Sequence, residues 1–315
     1  MRKILLFSLS FALMFTLYSG GSSASKVTSG NLITIKDFKS NYVASRNVHV
    51  WLPEQYAKST KRGEKFAVLY MHDGQMLFDR SSTWNGQAWG VDAVASALLE
   101  KSKLRHFIVV GIDNGGATLR HAEYFPQKPF ESLSSDKRKA LYQGTHNGSQ
   151  SLFSGNKVQS DEYLKFIVTE LKPYIDTTYN VHTDPENTYL MGSSMGGLIS
   201  LYAISEYPDV FGAAACLSTH WPGDFDSEDQ LIPQAFFSYM EEHLPTANNH
   251  RIYFDHGTAT LDAKYPALQK RADAIMRDKG YDSNNWQTLT FEGAAHTEDA
   301  WNARLPIPLI FLLGQ

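Results

Sequence analysis

The chain has 315 residues, of which 43% are hydrophobic, 20% charged and 13% aromatic, the balance of a folded globular protein. A formal net charge of −4, with no concentrated Lys/Arg run after the first few residues, excludes a nucleic-acid binder working through a basic stripe. Cys216 is the only cysteine, which excludes an intrachain disulfide, and the apolar "GAAACLS" around it reads as core packing.

The first segment, "MRKILLFSLSFALMFTLYSGGSSAS", has a basic start, an apolar middle and a small-residue exit at Ser22-Ser23-Ala24. That order predicts a secretory signal peptide over residues 1–24, cut after Ala24. The apolar run falls short of the roughly 20 residues a membrane span needs. The expectation is export to the periplasm or beyond, without stable membrane insertion once the signal is removed. Residues 25–315 then read as a single domain.

Short apolar, β-branched runs predict strands at 31–38, 47–53, 66–71, 107–113, 188–193, 211–218, 251–257 and 286–293. The later ones are continuously apolar, as in strands buried on both faces. Helical patterns occupy 90–103, 160–176, 195–208, 265–280 and 298–313. This alternation implies an α/β fold with a mainly parallel central sheet flanked by helices. The first two strands lack an intervening helix and should pair antiparallel. Two stretches, 114–158 and 219–248, interrupt the alternation. Each follows a strand, so each insertion emerges at the carboxyl edge of the sheet, where open α/β sheets bind ligands.

Gly192-Ser193-Ser194-Met195-Gly196 fits G-x-S-x-G with Ser194 at its centre. In such a strand–turn–helix elbow the backbone closes on itself two residues either side of the serine, so small residues are needed there. Centring on Ser193 would put Met191 and Met195 at the crowded positions, so the register selects Ser194 as nucleophile. A serine hydroxyl needs a general base, and the base an orienting acid. The chain order for this elbow is Ser, acid, His. Of His220, His243, His250, His256 and His296, only His296 stands in a loop between the last strand and the last helix, so it is the candidate base. Asp262, in the loop after "RIYFDHG", leads as the acid, with Asp255 at the strand end as the alternative. The oxyanion of the tetrahedral intermediate calls for two backbone N–H donors. Met195, after the nucleophile, is one candidate, and Gln75 in "LYMHDGQMLFD" is the other. His72-Asp73 and Asp255-His256 are adjacent pairs without metal-ligand spacing, so no metal or other cofactor is expected.

These residues resemble the esterase family of α/β-hydrolases, which includes feruloyl and acetylxylan esterases, siderophore-trilactone esterases, S-formylglutathione hydrolases and mycolyltransferases. The resemblance runs from Ile33 to the C-terminus and rests on "VLYMHDGQMLFD", "WGVD", "VVGIDNGG" with "RHAEYFP", "GSSMGG" and "GAAHTEDAWNARL". It implies an α/β-hydrolase fold with loop and helix insertions at the carboxyl edge. It also implies that Gln75 lies in the oxyanion loop, that Ser194 and His296 are nucleophile and base, and that Arg120 with Glu123-Tyr124 lies beside the site. One departure matters: where many relatives carry an acid two places after a Gly-x pair ending the seventh strand, this chain has Thr260, and Asp262 comes later. Either the loop is longer or Asp255 serves.

The expected reaction is hydrolysis of a small-molecule or carbohydrate-linked carboxylic ester through an acyl-enzyme. Acyl transfer by the same residues, or a catalytically silent binding protein on this fold, are the alternatives. Aromatic residues of the two insertions (Tyr124, Phe125, Tyr142, Phe153, Trp221, Phe225, Phe236 and Phe237) divide between core packing and a pocket wall, and Trp221 is the leading wall candidate.

Overall fold

The computed structural model describes residues 26–144, 151–224 and 230–315. The expected signal peptide and Phe225 lie outside the described residues. The strands are β1 (Asn31–Phe38), β2 (Arg46–Leu52), β3 (Ala67–His72), β4 (Phe107–Ile112), β5 (Thr188–Ser193), β6 (Ala213–Leu217), β7 (Arg251–Gly257) and β8 (Trp286–Phe291). They form one eight-stranded sheet in the order β1-β2-β4-β3-β5-β6-β7-β8. β2 pairs antiparallel with both β1 and β4, and every other pairing is parallel.

β5 lies near the middle of the sheet and is buried along its whole length. Its side chains alternate: Leu190 enters one apolar cluster and Tyr189 and Met191 the other, one on each face of the sheet. Continuous apolar runs in β3, β4 and β6 serve the same two-sided burial. β8 departs from that expectation. It is an edge strand, and its residues are half-buried or exposed, which suits the polar Gln287, Thr288 and Thr290.

Two expected helices are less regular than their sequence pattern. Residues 160–176 form Ser160–Phe166, a widened turn at Ile167–Leu171, and then Lys172–Thr178. The widening lies just before Pro173, which has no N–H to give the preceding turn. The C-terminal helix divides into Glu298–Arg304 and Pro306–Leu313, broken where Pro306 enters. No described helix is long and apolar enough to cross a membrane.

Candidate active site

Ser194 follows β5 directly and caps the helix Met195–Glu206 with φ 59° and ψ −121°, a left-handed turn that few non-glycine residues adopt. The turn is held by its own amide, which donates to Leu217 O on β6 at 2.9 Å, and by His220 N–H, which donates to Ser194 O at 3.2 Å. Gly192 is required here. A Cβ on it would lie 2.6–2.9 Å from the backbone of Gly196. Ser193 ends β5 and keeps strand pairing with Leu217, so the two serines have different backbones: one is strand, the other is turn.

The loop after β7 and the loop after β8 meet behind this turn. Asp262 sits in the short helix Thr260–Lys264, and its Oδ1 lies 2.5 Å from His296 Nδ1. A carboxylate only accepts, so Nδ1 carries the proton and Nε2 is left as the basic nitrogen. The other carboxylate oxygen accepts from Ser218 Oγ and from Gly257 N–H, each at 2.6 Å. Burial pushes the Asp262 carboxyl up, but the hydrogen bond and charge of His296, with Ser218 and Gly257, hold it below its ordinary value. His296 is also fixed through its backbone N–H, which donates to Thr260 Oγ1 at 2.8 Å. Its ring meets the edges of Trp301 and Tyr265 at centroid distances of 5.0 and 5.9 Å.

Asp255 is placed elsewhere. Its carboxylate takes Arg304 Nη2 at 2.9 Å and Nε at 3.2 Å, and accepts from Tyr253 Oη at 3.0 Å. It has no contact with His296 in this arrangement.

The loop after β3 begins at Asp73, in the left-handed region, and continues as a short turn, Gly74–Met76. A Cβ on Gly74 would stand 2.7–2.8 Å from the backbone of Gly111, Ile112 and Asp113, so only glycine lets this loop lie against β4. Gln75 accepts the Asn114 N–H through Oε1 at 3.2 Å. Arg120 grips Asp73 with two bonds of 2.7 and 2.8 Å, and Asn114 Nδ2 adds a third at 2.6 Å. Burial alone would raise the Asp73 carboxyl, but the charge and bonds of Arg120 hold it below its ordinary range. Glu123 forms a buried pair with Arg46 instead of facing the site.

Ser194, His296, Gln75 and Arg120 all line one cavity of about 590 Å³ at the carboxyl edge of the sheet. Asp262 lies behind it, and Met195 is buried in the core with its amide in the first turn of the helix. The profile of the Esterase family matches residues 41–312. The chain belongs to the Esterase family. It is 29% identical over 178 residues to the uncharacterized protein YbbA of Bacillus subtilis, a stretch covering 56% of this chain and 58% of YbbA. The fold is also that of a ferulic acid esterase, with a TM-score of 0.64 and 19% identity over 90% of this chain and 98% of that one. The enterobactin esterase FES of Shigella flexneri superposes with a TM-score of 0.60 and 17% identity, over 91% of this chain and 60% of that one.

Within this esterase-family chain, Trp221 is not where the sequence pattern puts it. It is completely buried, packs against Phe237 and Phe254, and donates its indole N–H to Gln269 at 2.9 Å. Tyr124, Phe125, Phe153, Phe236 and Phe237 are likewise core residues, and Tyr142 packs half-buried against them. Among the described residues, only the first insertion reaches the cavity, through Asn114 and Arg120. The aromatic lining comes instead from Trp84, Trp89 and Trp301.

Sequence reasoning also missed Ser218. Its Oγ donates to Asp262 and accepts from Trp301 Nε1 at 3.0 Å and Arg304 Nη2 at 2.8 Å, so it ties both buried aspartates to the last helices. A serine after an apolar strand carries no spacing signal that would reveal this. Among the described residues no group of three or more His, Cys, Asp or Glu could hold a metal ion.

Proposed function

We propose that the chain hydrolyses a carboxylic ester through a covalent acyl-enzyme, with Ser194 as nucleophile, His296 as general base and Asp262 as its orienting acid. Ser194 Oγ attacks the ester carbonyl carbon while His296 Nε2 takes its proton. The oxyanion of the tetrahedral intermediate is held by the backbone N–H groups of Met195 and Gln75, each worth about 10²–10³ in rate. Collapse expels the alcohol, which leaves with the proton from His296, and water then releases the acid by the same steps reversed. Asp73, clamped by Arg120 and Asn114, sets the loop that carries Gln75.

The observation that carries this reading is the 2.5 Å contact of Asp262 with His296 Nδ1 beside a cavity that also exposes the strained Ser194. Family membership and the likeness to a ferulic acid esterase and an enterobactin esterase support an ester as substrate, either small or carbohydrate-linked. Ser194→Ala assayed on p-nitrophenyl acetate should lose at least about a thousandfold in kcat. Undiminished turnover would reject the reading.

The basic-apolar-small order of residues 1–24 supports export before action. An N-terminal sequence of the exported protein beginning at Ser25 is the expected result. Recovery of the intact chain in the cytoplasm would reject it.

A further inference from the structure

Tyr265 touches all three residues assigned to the ester chemistry, and that assignment gives it no part. Its backbone N–H donates to Asp262 O at 3.0 Å. Its ring stands edge-on to the His296 imidazole, with centroids 5.9 Å apart. Its hydroxyl lies within hydrogen-bonding reach of the Ser194 side chain and 2.9 Å from Nδ1 of His220. His220 closes the circuit, because its backbone N–H donates to Ser194 O at 3.2 Å. Both side chains are completely buried. A phenylalanine and a leucine would fill this volume without desolvating a hydroxyl and an imidazole, a cost that only well-made hydrogen bonds offset.

Proton counting selects one direction for this chain of bonds. The Tyr265 hydroxyl has a single proton to give. If that proton went to His220 Nδ1, the serine could bond to Tyr265 only by donating its own proton, the one His296 has to take. If His220 Nδ1 carries the proton instead, the phenol is free to donate to Ser194 Oγ, and the serine proton stays available to His296. Burial, with the charge of Asp262 nearby, holds the phenol well above its ordinary value, so it keeps its proton while the serine loses one. Burial likewise holds His220 well below its ordinary value, and a neutral imidazole has one protonated nitrogen to offer.

We propose that the pair His220–Tyr265 positions the nucleophile: His220 Nδ1–H donates to Tyr265 Oη, and Tyr265 O–H donates to Ser194 Oγ, holding the serine side chain in one rotamer for attack. The inference rests on the ester-hydrolase reading and adds the groups that aim its serine. No proton is transferred along the pair. A reacting oxygen already held in place saves the orientational search that otherwise slows attack.

The rate of Ser194 phosphonylation by a fluorophosphonate, followed by intact mass on the full-length protein, reads the nucleophile without a deacylation step. Tyr265→Phe keeps the ring against His296 and removes only the hydroxyl. It should label every chain, but about tenfold more slowly than wild type. On p-nitrophenyl acetate kcat should fall by a similar factor, while KM changes by less than about twofold. A Tyr265 that only filled the core would give the opposite pattern: a lower urea midpoint and fewer chains labelled, at the wild-type rate. His220→Leu should slow labelling as Tyr265→Phe does, and the double variant should be no slower than either single one. His220→Asn, whose amide N–H replaces Nδ1–H, should recover most of the rate. An unchanged labelling rate in Tyr265→Phe, additive losses in the double variant, or His220→Asn no faster than His220→Leu would overturn the proposal. Should His220→Leu fail to fold, the Tyr265→Phe rate decides alone. If wild type takes up no label at Ser194, the ester-hydrolase reading falls and the proposal with it; if wild type and Tyr265→Phe label equally fast, only the proposal falls.

Discussion

Asp255 and Asp262 belong to one strand and the loop that follows it, and both carboxylates are fully buried, yet the two regions use them differently. Asp255 faces the C-terminal helix and pairs with Arg304, a cation that never gives up its charge. Asp262 turns to the cavity side and pairs with His296, which lines the cavity beside Ser194. Ser218 hydrogen-bonds to Asp262 with its hydroxyl, receives Arg304 on the same oxygen, and donates its backbone N–H to Asp255. The lesson is that burial alone does not tell the two acids apart. What each carboxylate faces does: a helix in one case, the cavity in the other.

The sharpest way to break this comparison is to neutralise each acid in turn. Asp262→Asn should cost about 10⁴ in kcat, because His296 loses the group that fixes its tautomer. The steady-state rate on p-nitrophenyl acetate checks it. The folded-state pKa of Asp262 lies below the ordinary value, so the stability it contributes is intact above about pH 4 and is lost as pH falls through the lower folded value.

Asp255→Asn should act on stability instead, by about 3–5 kcal/mol, since it leaves the buried Arg304 guanidinium without its counter-charge. Urea unfolding measures this, and the folded fraction should keep most of its kcat. If the two variants exchanged these signatures, the assignment of roles would be reversed.

His72 sharpens the contrast from the other side of the elbow. It is buried, with Nδ1 2.9 Å from Tyr163 Oη, and burial pushes its pKa down to about 4. The unfolded chain takes up this proton near pH 6.5 and the folded chain does not, so stability should fall by about 3 kcal/mol as pH drops from 6.5 to 4. His72→Asn should remove that share of the slope in urea midpoints measured across the same range. Smallest of all should be Ser193→Ala. Ser193 lines the cavity, but its backbone is strand, so kcat/KM should drop by less than about tenfold, against the thousandfold or more expected at Ser194.

The features legible from the sequence were those with a local rule behind them. All eight strands and the elbow register follow from apolar runs and from spacing around Ser194, because each is decided within a few residues. The contact of Asp262 with His296 was only half legible, because two acids lay within one short stretch and only the fold shows which way each turns. The cavity wall was the least legible. Aromatic content alone favoured the insertions, and Trp221 with its neighbours went to the core, where area burial rewards large rings most. Trp84, Trp89 and Trp301 reach the cavity through loop and helix placement, which hydrophobic periodicity does not encode.

The central claim, that Ser194 is the activated serine and His296 its base, is tested most directly by mass spectrometry after reaction with a fluorophosphonate. The account predicts a single adduct per chain, on the peptide carrying Ser194 and at that residue, with labelling suppressed in His296→Ala. Absence of an adduct, or an adduct on Ser193 or any other serine, would contradict it.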